Sequence, residues 1–214
     1  VPEPATIASL CDDDTDGLQT FDLSGVEAQV IGTQADLVVT YHLSEPDADG
    51  GVNPLGTTIT TTIPDLQMIY IRLESAITGC YAVSTIDLVV DPLPTINTLS
   101  PYLLCDENNT GDLQEVFDLS TLDADIINGQ NAVVSYHFTE QEAQNNTSPL
   151  ATLYTSGTQT IYVALQDSIT FCRAIAPVNL IVEQLPNTII MTPLEVCDDD
   201  ADGIADFNLT DKDT

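Results

Sequence analysis

Short runs of β-branched and aromatic residues recur along the whole chain, each closed within a few positions by Gly, Pro, Asn, Asp or Ser. Residues 37–43, 57–63, 68–73 and 83–90 are such runs, and their Val, Ile, Thr and Tyr content predicts β-strands. No helical period extends beyond two turns. Residues 121–128 come nearest and predict a short helix or a turn.

The same pattern returns at a fixed interval, which sets the architecture before any single strand is assigned. Cys11-Asp-Asp-Asp-Thr-Asp-Gly17 leads to Phe21-Asp-Leu-Ser24, and Cys105-Asp-Glu-Asn-Asn-Thr-Gly111 leads to Phe117-Asp-Leu-Ser120. A third copy, Cys197-Asp-Asp-Asp-Ala-Asp-Gly203, leads to Phe207-Asn-Leu-Thr210. The opening cysteines are 94 and 92 residues apart. Val38-Val-Thr-Tyr-His42 likewise matches Val133-Val-Ser-Tyr-His137, Cys80 matches Cys172, and each unit closes on an apolar strand followed by a proline-bearing linker. We therefore expect two modules, residues 1–94 and 95–186, and the opening of a third, 187–214, in a fragment of a longer array. About 90 residues of short strands predict an all-β fold: tandem immunoglobulin-like or fibronectin-like β-sandwich modules, without the Trp of antibody domains.

Composition narrows the function. The hydrophobic content of 43% suffices for real cores, while 34 acidic residues face three basic ones, Arg72, Arg173 and Lys212, for a formal charge of −31. A surface without basic patches is a poor partner for nucleic acid or anionic membrane. It suits a saline or calcium-containing exterior. No segment approaches the roughly 20 apolar residues of a membrane span, and residues 1–10 lack the features of a signal peptide.

The opening loop of each module is the candidate chemistry. Asp12, Asp14 and Asp16 alternate ahead of Gly17, so their oxygens can converge on one hard cation, and calcium accepts such a flexible oxygen cage. The spacing follows the first half of an EF-hand loop, with the carbonyl of Leu18 as a further ligand. It departs at the end, where Leu23 stands in place of a bidentate Glu and Asp22 is the substitute carboxylate. The third loop offers Asp198, Asp200, Asp202, the carbonyl of Ile204, Asp206 and Asn208. The second retains Asp106 and Asn108, has Thr110 in place of the third Asp, and adds Asp112 after the glycine, so its site is expected to be weaker or empty. The acidic turn Asp47-Ala-Asp-Gly50 has no repeated counterpart and is read as a solvated loop.

Each module has one cysteine before its Phe-containing strand and one in the turn between its last two strands. If both lie at the same pole of a sandwich, Cys11 pairs with Cys80 and Cys105 with Cys172, leaving Cys197 unpaired. A bridge between Cys80 and Cys105 would have to traverse a strand of about ten residues, roughly 33 Å. Bridge and calcium loop would together stiffen the joint between neighbouring repeats. His42 and His137 follow a Tyr in a strand without a repeated Ser, Cys or His partner nearby, and are read as strand residues on a half-exposed face; Arg72 is read as a surface or strand-face ion partner. No catalytic constellation emerges, so an enzyme is not expected.

The ordered set of Cys-Asp-Asp-Asp-x-Asp-Gly, Phe-Asp-Leu, Tyr-His-Leu, Ile-Tyr-Ile-Arg, Thr-Gly-Cys and Pro-Leu-Pro resembles the tandem repeats of giant flavobacterial surface proteins exported by type IX secretion, the SprB-type gliding adhesins. The resemblance spans the chain and implies a cell-surface adhesin associated with the outer membrane. Its implied partners are the gliding and secretion machinery and extracellular polysaccharide or solid surfaces. The competing expectation is a carbohydrate-binding accessory module of a secreted polysaccharide-degrading enzyme, with Tyr41, Tyr70 and Tyr81 as candidate sugar platform.

Overall fold

A computed structural model describes residues 4–186 together with 195, 197, 202–204, 206 and 207. Of the third repeat, Asp198, Asp200 and Asn208 lie outside the described residues.

The first module runs β1 (Leu10–Cys11), β2 (Thr20–Asp22), α1 (Val26–Ile31), β3 (Leu37–His42), α2 (Glu45–Gly50), β4 (Thr58–Thr60), β5 (Leu66–Ser75) and β6 (Tyr81–Asp91). One sheet has the order β1-β6-β5-β3 and faces the two-stranded sheet β2-β4. The second module repeats this as β7 (Tyr102–Cys105), β8 (Glu115–Asp118), a 3-10 turn (Leu119–Leu122) leading into α3 (Asp123–Ile127), β9 (Ala132–His137), α4 (Glu140–Asn145), β10 (Leu153–Ser156), β11 (Gln159–Asp167) and β12 (Arg173–Glu183). Its sheets are β7-β12-β11-β9 and β8-β10. The chain is thus two tandem all-β, immunoglobulin-like sandwiches, as the repeat pattern predicts.

Period-2 alternation puts Ile69, Ile71 and Leu73 of β5, and Ile161, Val163 and Leu165 of β11, on the inner faces of the larger sheets. Phe21 and Phe117 meet them from the smaller sheets, and Val30 and Ile126 from the helices. Burying each such side chain contributes about 1.5–3 kcal/mol, so each module holds a core of its own.

Two features lay below the sequence signal. First, β1 and β7 precede the acidic loops and pair parallel to the last strand, Cys11 beside Asp91 and Cys105 beside Glu183. Second, residues 47–50, expected as a solvated loop, are part of α2: Ser44 accepts the Asp47 N–H, and Gly51 closes the helix in the left-handed region. The equivalent α4 opens on a capping box of Thr139 and Glu142. Helices of five or six residues are too short to show a 3.6-residue period.

The helices α2 and α4 cover the outer face of the larger sheet, which changes the environment of the histidines. His42 and His137 are fully buried rather than half-exposed. His42 Nδ1 bonds the Val52 carbonyl at 2.8 Å and Nε2 the Thr40 hydroxyl at 2.9 Å. His137 makes the matching bonds to Thr147 and Ser135. Both rings tie the chain following a short helix to the sheet beneath.

Candidate functional site

In the first loop one oxygen from each of Asp12, Asp14 and Asp16 lies within 4.8 Å of the others. Asp12 is buried and acts as the hub: Oδ1 accepts the Thr15 N–H at 2.9 Å and Oδ2 the Gly17 N–H at 3.1 Å. Asp14 accepts from the Asp16 N–H, and Asp16 from the Leu18 N–H. Gly17 is required where it stands. Its φ is +73°, and a Cβ there would meet Pro64 Cβ at 2.8 Å. The hydrogen bond from the Asp16 N–H draws the Asp14 carboxyl downward, but desolvation and the neighbouring charges of Asp16 and Asp13 outweigh it and raise Asp14 above its ordinary value. Three converging carboxylates on a tight turn fit the donor set of a calcium cage.

Asp22 does not join this cluster. It accepts the Ser24 N–H at 2.9 Å, which lowers its pKa, and Asp118 takes the Ser120 N–H and hydroxyl in the same manner. Phe-Asp-Leu-Ser is therefore a turn-capping motif at the exit of β2 and β8. In the third loop the Ile204 N–H donates to Asp202 at 2.8 Å, while Asp206 is also described.

The second loop keeps the curl with other residues. Asp106 is fully buried and its Oδ2 accepts the Gly111 N–H at 2.6 Å, as Asp12 does from Gly17. Asn108 bonds Glu115, a residue that the repeat comparison did not single out. Glu115 Oε1 also accepts the Glu107 and Asn108 N–H groups at 2.6 and 2.7 Å, and the Asn108 bond leads the lowering of its pKa. Asp112 takes the Asn109 amide and the Gln114 N–H.

The disulfide is not the expected one. Cys11 is bonded to Cys172, with Cα atoms 5.5 Å apart, while Cys80, Cys105 and Cys197 are free and exposed. Both intramodular pairings, Cys11 with Cys80 and Cys105 with Cys172, are overturned. The reason is β1: its parallel pairing carries Cys11 to the end of β6, whereas Cys80 lies at its start, about 33 Å away along ten residues. The joined elements are the mouth of the first acidic loop and the β11–β12 turn of the next module. At that joint the Asp91 carbonyl accepts the Asp12 N–H at 2.8 Å and lies 3.9 Å from Cys172 Sγ. Thr95 of the linker exchanges two hydrogen bonds with Gln130 of the second module.

The model of one family, the Flavobacterium inter-domain disulphide bond domain, matches residues 7–94 and again 101–186. The chain belongs to this family. Its two copies of the inter-domain disulphide bond domain are the two sandwiches, and the Cys11–Cys172 bond joins one copy to the next. No curated protein sequence matches the chain. Similar solved structures include an endo-fucoidan hydrolase of glycoside hydrolase family 107, at 12% identity over 86% of this chain and 28% of that one, with a TM-score of 0.24. The titin domains Z1Z2 in complex with telethonin follow at 11%, 86%, 95% and 0.24, and the cadherin-like domains 1 to 4 of zebrafish RET at 8%, 86%, 49% and 0.25. At such TM-scores these likenesses carry no argument.

The cations of the family's two copies perform one task from different strands. Arg72 of β5, 8% exposed, donates to the Ala48 and Asp49 carbonyls at the end of α2, pairs with Glu74 at 2.8 Å and lies 3.6 Å over the Tyr81 ring. Arg173 of β12 donates to the Ala143 and Gln144 carbonyls at the end of α4. Arg72 is thus an ion partner on its strand face, as expected, but it is buried rather than at the surface and also caps a helix. The candidate sugar platform does not assemble: Tyr41 is in the core, where burial pushes its pKa up to about 12, and one face of Tyr81 is taken by Arg72.

Proposed function

We propose that these repeats are a section of a stiff, non-catalytic extracellular filament, of the adhesive kind implied by the resemblance to giant flavobacterial gliding adhesins. The observation that carries this reading is the Cys11–Cys172 bond, which adds a covalent tether beside the linker and so restricts rotation at the joint. A disulfide at that point suits an oxidising exterior, and among the described residues no helix is long and apolar enough to cross a membrane. Calcium held by Asp12, Asp14 and Asp16 would order the loop directly after Cys11, on the same side of the joint. By the repeat, Cys80 stands where Cys172 does and Cys105 where Cys11 does, so each is positioned to bond the neighbouring repeat of a longer array.

Small-angle scattering and melting of the oxidised and reduced chain, in calcium and in chelator, test this. The oxidised chain in calcium is expected to keep one inter-module distance and to melt higher, while reduction broadens the distance distribution. An unchanged distribution on reduction removes the filament reading, and identical melting in chelator removes its calcium part.

A further inference from the structure

We infer that the second loop, despite losing two of the three aspartates, is also a divalent-cation site, rebuilt around Asp106 and Glu115. This deepens the calcium reading above and rests on it. Two carboxylates are buried at this loop, Asp106 at 0% and Glu115 at 5% exposure. Ionised groups are taken out of water only against compensation. Glu115 has its compensation in the Glu107 and Asn108 N–H groups and the Asn108 amide. Asp106 does not. Its Oδ2 takes the Gly111 N–H, which turns the carboxylate into the concave side of the loop, and its Oδ1 is left buried with no donor.

No side-chain cation among the described residues can answer it. Arg72 is committed to α2 in the other module, and Arg173 to α4. Arg173 also lies at the start of β12, whereas Asp106 follows Cys105, which pairs with Glu183 at its far end, a separation of about 33 Å along the strand. A bound hard cation supplies the missing charge.

Comparison of the two loops shows where the lost charge went. Asn108 and Thr110 stand at the positions of Asp14 and Asp16, removing two carboxylates. Glu115 stands two residues before the core Phe117, where the first loop has Gln19 two residues before Phe21. Gln19 reaches back to its own loop through Cys11 O and Asp13. Glu115 reaches back in the same manner with a negative charge, so part of the acid removed from the turn is returned by the following strand.

The test uses the whole chain, isotope-labelled, titrated with calcium chloride alone. The amides of Gly17 and Gly111 report their loops separately, because each N–H is bonded to that loop's first aspartate. Gly111 is expected to shift saturably within the on-the-order-of-millimolar range of extracellular calcium modules. Glu115→Gln, which preserves shape, should weaken that response by about tenfold or more and leave Gly17 unchanged. The same variant should also lose most of the rise in melting temperature that calcium gives the parent at this loop, a loss that a merely structural glutamate would not produce. A Gly111 amide that stays still while Gly17 shifts overturns this inference alone. If neither moves, the calcium part of the proposed function falls with it.

Discussion

Cys11 and Cys172 are bonded although 161 residues separate them, and the contact places the first acidic loop against the hairpin turn of the following sandwich. Asp12, the hub of that loop, is the next residue in the chain, and its N–H closes on Asp91 at the end of β6. The closing strand of one module, its cation-binding candidate and the turn of the next therefore meet at one point. Order gained in any one of them restrains the others.

The crosslink predicts a large and specific loss on its removal. Closing a loop of 161 residues contributes about 5 kcal/mol in the chain-entropy account. Cys11→Ser is expected to lower the guanidinium midpoint and to separate the unfolding of the two modules, whereas Cys80→Ser leaves both unchanged. Peptide mapping without reductant should recover Cys11 joined to Cys172. Recovery of Cys11 joined to Cys80 would overturn the joint.

The two arginines predict an exchange across strands. Arg72→Ala strips the Ala48 and Asp49 carbonyls of their donor and should cost about 3 kcal/mol by denaturant unfolding. Lys at position 72 is not expected to restore the fork of bonds. In the second module Arg173 pairs with Gln166 as Tyr81 pairs with Glu74 in the first. The double variant Arg72→Ala, Tyr81→Arg copies that arrangement and should recover most of the loss.

Asp14 predicts a pH dependence of unusual sign. Its folded pKa is raised above the ordinary 3.8, so its contribution is favourable below about pH 3.8 and is lost as the pH rises through the folded value. In chelator at pH 7, Asp14→Asn is therefore expected to raise the melting temperature, with the gain vanishing on acidification. In calcium the same variant should lower it. A destabilisation in chelator at pH 7 would mean that repulsion does not govern this loop.

Much of the fold was legible because repetition displays the module twice and its opening a third time. The Cys-to-Phe motif, the Tyr-His strand and the proline-bearing close establish tandem β-modules from residue order alone. Glu115 was harder to see. Two extra residues stand between Gly111 and Phe117 compared with Gly17 and Phe21, so alignment forward from the cysteine loses the register that counting back from the phenylalanine keeps. Arg72 and Arg173 were hidden for a related reason: their helix ends are equivalent in space, but their strands are not equivalent in sequence.

By itself the sequence determined the class of the molecule, its period, and the aspartates that gather at the first module's opening, because those follow from local residue order. Which cysteine meets which was decided only by the tertiary structure. A two-residue strand, Leu10–Cys11, is too short to carry any hydrophobic period, yet its parallel register along β6 sets the pole at which the sulfur emerges. Sulfurs must approach within bonding distance, so that register turns an apparent clamp within each sandwich into a link between sandwiches.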